Sequence, residues 1–185
     1  MNSFTSKRLT FRPITIADQS FFAEQYTNAN IMRHNGGALT KTEAIQQHTR
    51  LMRDNQRAQN GDKKTIITWA IECRNSQKII GILTLCYLTF PYNNHVIQQG
   101  LNANINQAEI GIILVEEQQN KGFAQEALKA LIHFSFTVLG LNKINAFYNR
   151  DNAQSKKLFT HLGFRYDNNS PQKNTDKHYC YLEKR

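Results

Sequence analysis

Apolar and polar positions change period several times along the chain, and each change marks an element. Arg8 to Thr15 (RLTFRPIT) alternates as a strand does, with Pro13 placing it near an edge or an end. Thr15-Ile16-Ala17-Asp18 has capping-box spacing with an acid at the fourth position and opens a helix through about Thr27. Asn28 to Leu39, with its Gly36-Gly37 pair, reads as a loop. A second box, Thr40-Lys41-Thr42-Glu43, starts a polar helix to about Gln59, which Asn60-Gly61-Asp62 ends. Thr65 to Cys73 and Lys78 to Leu88 form a hairpin of strands around Arg74-Asn75-Ser76-Gln77. Residues 89–106 are Asn-rich without a clear period and read as a long connection of the kind that carries function.

The second half is more regular. Glu109 to Val115 is a strand, Gly122 to about Val138 a helix, Lys143 to Asn149 a strand and Asn152 to Leu162 a helix closed by Gly163. The tail from Phe164 holds one or two strands around a polar turn, 168–177. With no internal repeat and no linker, the order β-α-α-β-β-β-α-β-α-β predicts one α/β domain over residues 1–185. Its sheet is mixed, with about six or seven strands and four main helices.

Composition narrows the class. An apolar share of 40%, with 11 Phe and 7 Tyr, supplies a core and argues against disorder. No apolar run approaches the roughly 20 residues that cross a bilayer, and the first residues lead directly into a strand without a signal-like segment. Cys73, Cys86 and Cys180 are odd in number, widely spaced and lack a CxxC pair. They read as reduced thiols of a cytoplasmic protein, with neither a disulfide framework nor a metal site. A net charge of +9 suits any phosphate-rich partner, including a ribosome, an RNA or a nucleotide cofactor. The Lys and Arg are scattered, however, so specific DNA binding is not expected.

Two segments carry chemistry. In Glu109-Ile110-Gly111-Ile112-Ile113-Leu114-Val115 the near-continuous apolar run suits a central strand covered on both faces. Its period puts Glu109, Gly111, Ile113 and Val115 on one face. A charged residue followed on its own face by glycine leaves room for a ligand above the sheet; a carboxylate at the wet mouth of a strand is the alternative. The chain then turns through Gln119-Asn120-Lys121-Gly122-Phe123-Ala124 into a helix. Free amides and the dipole of a helix N-terminus favour an anion there, Gly122 admits close approach, and Lys121 adds a cation. Q-x-x-G-x-A alone also matches an ordinary strand-to-helix turn.

Context makes the pattern specific. The helix stripe Ala124, Ala127, Leu128, Leu131, Phe134 and Val138 faces a sheet, and small residues lead it. After the next strand comes N-x-x-S-x-x-L-F-x-x-L-G-F from Asn152 to Phe164. Strand, Q-x-x-G-x-A, helix, strand and this last motif together resemble the GCN5-related N-acetyltransferase superfamily. N-x-x-S and R-L-x-x-R-P at Arg8 to Pro13 are similar to the branch that acetylates the N-termini of ribosomal proteins. The resemblance covers nearly the whole chain and implies a sheet with a central splay that receives acetyl-CoA. It implies main-chain contacts to the pantetheine arm from Ile112, Ile113 and Leu114. It also implies pyrophosphate contacts from Gln119, Asn120, Lys121, Gly122, Phe123 and Ala124, and an arm contact from Asn152, which is also a fitting helix N-cap.

Direct acetyl transfer needs a neutral amine, an oxyanion donor and a proton for the departing thiolate. Glu109 is the candidate base, acting through water, and an amide near Ile113 or Leu114 the oxyanion donor. Where many members of the superfamily carry a tyrosine acid in the last helix, this chain has Phe159, so the acid is Ser155 or water. The acceptor expected from the branch resemblance is a protein N-terminal α-amine. Its route passes the 28–39 loop, the second helix and the 89–106 connection, with Tyr26, Met32, Trp69 and Tyr92 as possible walls. A polyamine or aminoglycoside acetyltransferase, and a non-catalytic module that binds CoA, are the alternatives. The chain is expected to be a monomer or homodimer.

Overall fold

The computed structural model describes residues 3–62, 65–87, 106–167 and 176–184. Strands β1 (Phe4–Thr5), β2 (Leu9–Pro13), β3 (Ile66–Cys73) and β4 (Ile79–Tyr87) are followed by β5 (Gln107–Leu114), β6 (Lys143–Asn149), β7 (Arg165–Asp167) and β8 (Lys177–Glu183). They form one sheet in the order β1-β2-β3-β4-β5-β6-β8-β7. The helices are α1 (Gln19–Thr27), α2 (Ala29–Met32), α3 (Lys41–Gln59), α4 (Phe123–Thr137) and α5 (Ala153–His161). Eight strands replace the expected six or seven because the two-residue β1 is too short to leave a period, and the tail forms both β7 and β8. The Asn28–Leu39 segment is not wholly loop. Its one-turn α2 is capped by the Asn28 side chain, which accepts from the amides of Asn30 and Ile31.

Both capping boxes form. The Thr15 amide donates to Asp18 at 2.7 Å, though a 3-10 turn precedes α1 there. The Thr40 amide donates to Glu43 and the Glu43 amide to the Thr40 hydroxyl. Strand alternation divides the core into two layers. Phe11, Trp69, Leu83, Leu85, Ile110 and Ile144 pack under α4 and α5 with Leu128, Leu131 and Phe159. Ile14, Ala70, Ile82 and Ile113 pack beneath α1 and α3 with Phe22 and Leu51. Val138, expected on the buried stripe of α4, lies past its last turn and is exposed.

One pairing sets up the site. β5 and β6 run parallel but are in register only at Gln107–Lys143, Ala108–Ile144 and Glu109–Asn145. Among the described residues, β5 keeps only β4 as its neighbour from Ile110 onward, and β6 keeps only β8 beyond Asn145, so the two strands part. The central splay is thus a fork with Glu109 and Asn145 at its closed end. Asn145 is fully buried there. Its amide nitrogen donates to the Ala108 carbonyl at 3.3 Å, and its oxygen accepts from the Tyr179 hydroxyl at 2.8 Å.

Candidate active site

A cleft of about 590 Å³ opens between the parted strands and runs to the N-terminus of α4. Of the residues singled out in the sequence, Ile112, Ile113, Leu114, Gln119, Asn120, Gly122, Ala124, Asn152 and Ser155 line it. Lys121, Phe123 and Glu109 do not. Phe123 is buried in the core against Arg8, whose guanidinium carbon lies 4.2 Å from the ring centroid.

The turn into α4 is held open by backbone conformation. Asn120 and Gly122 both have positive φ, at 59° and 78°. Asn and Gly are the residues that tolerate this region best. Gly122 is therefore the N-cap rather than the first helical residue, and the first amides of α4 have no carbonyl partner within the helix. The Gln119 side chain ties the turn to the end of β5 by donating to the Leu114 carbonyl at 3.1 Å. Its own amide is spent on the Glu116 carbonyl.

Along β5 the antiparallel ladder decides which main-chain groups face the fork. The Val115 amide bonds to the Ile80 carbonyl of β4. With a period of two, Ile113 and Gly111 also turn their polar groups towards β4, and Leu114 and Ile112 turn theirs into the fork. The space expected above Gly111 belongs to the sheet itself. A Cβ there would lie 2.7 Å from the Thr84 hydroxyl oxygen, which donates to the Gly111 carbonyl.

Glu109 sits at the closed end of the fork, on the face covered by α1 and α3. Burial pushes its carboxyl up to about 7 from an ordinary 4.5, and the charge of Lys177 offsets only part of the shift. Its pairing partner on β4 is Cys86. Burial, followed by the charges of Glu109 and Asp54, pushes that thiol up to about 11, so it stays protonated. On the other side of the sheet Asn152 caps α5 by accepting from the Ser155 amide at 3.0 Å, which turns half-buried Ser155 to the cleft. Glu109 and Ser155 thus approach the fork from opposite faces.

The far wall of the cleft comes from the 28–39 segment, which the sequence suggested for the acceptor route, although its contact with the β6–α5 turn was not legible there. It is the α2 segment, Asn30 to Asn35, where His34 meets Asp151 of the β6–α5 turn at 3.4 Å. Arg33 and Lys157 add positive charge to the lining, beside His161. Of the residues suggested for an acceptor route, Trp69 belongs to the core instead: it is fully buried against Phe4 and Phe134 on the α4 face. Met32 is buried, Tyr26 stacks on Phe22 with ring centroids 4.2 Å apart, and Tyr92 lies outside the described residues. Among the described residues no cluster of His, Cys, Asp or Glu could hold a metal ion, and no helix is long and apolar enough to cross a membrane.

Residues 8–165 match the acetyltransferase (GNAT) domain family. The chain is 29% identical over 157 residues to the uncharacterized N-acetyltransferase YoaA of Bacillus subtilis (strain 168), covering 85% of this chain and 79% of that protein. Its fold is shared with a spermidine N-acetyltransferase from Vibrio cholerae solved in complex with CoA and spermine. There the TM-score is 0.70 at 21% identity, over 95% of each chain. A putative ribosomal-protein-serine acetyltransferase from Vibrio cholerae superposes with a TM-score of 0.71 at 18% identity, over 99% of this chain and 98% of that one. The chain belongs to the GNAT family and is an acetyl-CoA-dependent N-acetyltransferase. The forked strands and the open helix N-terminus fit such a donor: one turns main-chain groups of Ile112 and Leu114 to an amide-bearing arm, the other amides to an anion.

Proposed function

We propose that the enzyme transfers the acetyl group directly to a protein N-terminal α-amine, with Glu109 as general base and Ser155 as general acid. One observation carries this reading: a buried carboxyl at the closed end of the fork, its pKa raised to about 7. A base of that strength is matched to an α-ammonium group, whose reference pKa lies near 8, so the proton moves at little cost. For an alkyl ammonium near 10.4 the same transfer is uphill by about three units.

In this scheme Glu109 takes the ammonium proton from the α1/α3 face, directly or through a water. The amine attacks the thioester carbonyl between the parted strands. The fork-facing amides of Ile112 and Leu114 receive the developing oxyanion, since Ile113 spends its own on β4. Ser155 gives a proton to the leaving thiolate from the other face as the C–S bond breaks, and the second proton of the amine, shed from the nitrogen of the tetrahedral intermediate, restores its hydroxyl. Ile112, Leu114 and the Asn152 side of the cleft hold the pantetheine arm, and Asn120 to Ala124 hold the pyrophosphate.

A second reading, a polyamine or aminoglycoside acceptor, rests on Asp54, whose charge reaches Cys86 from α3 as that of Glu109 does from β5. Asp54 already meets Arg57 at 3.6 Å, and with Glu109 it would offer two carboxylates to a substrate with several cationic groups. A mass-shift screen with acetyl-CoA against peptides beginning with Ala or Ser, spermidine and an aminoglycoside separates the two. The expected result is acetylation of a peptide N-terminus. Turnover confined to the small polyamines would sink the α-amine assignment, and acetylation of none of them would sink both.

A further inference from the structure

We propose that Arg8, from the distant start of β2, is a positioning residue that sets the peptide unit between Lys121 and Gly122 so that the Gly122 amide faces the donor's diphosphate. The proposal rests on the reading of Asn120 to Ala124 as the pyrophosphate loop.

The argument begins with the loop. Asn120 and Gly122 are both left-handed, with Lys121 between them. Such a conformation has little local support and persists where its surroundings hold it. Within the loop the tie is the Gln119 side chain, which anchors its beginning to β5. The far end is held from outside, by a residue more than a hundred positions away.

Arg8 makes three different contacts there. Its Nη1 donates to the Lys121 carbonyl at 3.2 Å. Its guanidinium lies over the Phe123 ring, 4.2 Å from the centroid. Its Nε donates to Glu126 in the first turn of α4 at 2.6 Å. Glu126 in turn accepts from the Arg8 amide and the Ser6 hydroxyl, each at 2.7 Å, which fixes the arginine's own backbone. The Arg8 carbonyl accepts from the Arg74 amide, so the residue is tied to the sheet on that side as well.

A trans peptide is planar, and its C=O and N–H point in opposite directions. Drawing the Lys121 oxygen towards Arg8 therefore sends the Gly122 N–H the other way. Arg8 is not a wall of the donor cleft, whereas Gly122 is. On this proposal that other way is the donor cleft, which Gly122 lines, and there an anion would use the N–H. Were the peptide to flip, a carbonyl oxygen would face the diphosphate instead. A lysine cannot replace this arginine, because a point charge on a flexible stem cannot stack on Phe123 and also reach Glu126 and the Lys121 oxygen at fixed angles.

The test compares two ligands on the intact protein. CoA carries the diphosphate and pantetheine lacks it. Kd for CoA is measured by titration calorimetry and for pantetheine by ligand-observed NMR, in wild type, Arg8→Lys and Glu126→Gln. The expected result is that the preference for CoA over pantetheine falls about tenfold in both variants, in keeping with the loss of one charge-assisted contact. A general loosening of the fold would weaken both ligands alike and leave the ratio where it was. An unchanged ratio in either folded variant overturns the positioning role. If wild type binds no CoA, the pyrophosphate assignment fails first, which is a separate outcome.

Discussion

Glu109 shows how one side chain can serve catalysis at the expense of stability. Its carboxyl titrates near 7 in the fold against 4.5 ordinarily, so the fold favours the neutral form. Such a group stabilises fully below about pH 4.5, and that contribution is lost as pH rises through about 7. Catalysis asks for the opposite form, because only the carboxylate can accept a proton. kcat/KM for wild type should therefore rise with pH through an apparent pKa near 7. Glu109→Gln should lower turnover by about a hundredfold or more, the usual range for a lost general base, with Kd for acetyl-CoA little changed. The same variant should melt higher than wild type at pH 8 and gain little at pH 4.5. Turnover of Glu109→Gln equal to wild type at saturating donor would remove Glu109 from the mechanism. Ser155 is the complementary case, since its amide is already used by Asn152 and only its hydroxyl is left for chemistry. Full activity in Ser155→Ala would leave water as the acid.

At the level of elements the site is a junction: a fork between β5 and β6, a left-handed turn into α4, and the capped start of α5. Gly122→Ala tests the turn without a steric complication, because the nearest atom to an added Cβ is 3.5 Å away. Its cost is then the left-handed backbone itself, about 1–2 kcal/mol for a residue with a Cβ. It should show as a lower urea midpoint together with weaker CoA binding; an unshifted midpoint would mean that the turn relaxes freely. Much of this junction could be read from residue order, since periodicity marks each strand and helix, and glycine and asparagine mark the turns. The fork was expected only through the family resemblance, because where parallel pairing stops after Glu109 depends on what lies beside β5 rather than on the period of β5 itself. Gly111 misled for the same reason: Thr84 of the neighbouring strand fills the space that the pattern seemed to leave for a ligand. Arg8 and His34 were likewise invisible as parts of the site, because their partners are Lys121, Glu126 and Asp151, more than a hundred residues away.

Across the whole molecule the two core layers differ in chemistry. The layer under α4 and α5 is almost wholly apolar, whereas the layer under α1 and α3 contains buried His48, Gln25, Asn55 and Thr68. Asn55 is satisfied, exchanging two bonds of 2.8 Å with the Thr68 backbone. His48 is fully buried against the edge of Phe22, and neither ring nitrogen has a hydrogen-bond partner among the described residues. Burial pushes its pKa below the ordinary 6.5; the Thr15 backbone, near but outside hydrogen-bonding geometry, and the Asp18 charge oppose it less strongly. Asp18 is already committed: burial raises its pKa, but bonds from Arg12 and Thr15 outweigh that and lower it overall. It therefore provides limited compensation for a second cation. A histidine with a depressed pKa stabilises above its unfolded value and loses that contribution as pH falls through the folded one. Glu109 acts in the reverse sense, gaining stability as pH falls from about 7, so the two buried groups oppose each other and only variants can separate them. Replacing His48 by Leu removes the titration but keeps an apolar side chain of similar size. Between pH 7.5 and 5.5 the melting temperature of wild type should therefore fall further than that of His48→Leu. Glu109→Gln should alter the curve in the opposite direction. Parallel melting curves for wild type and His48→Leu would show that the α1/α3 layer admits a charged imidazole without cost, and that its acid sensitivity lies elsewhere.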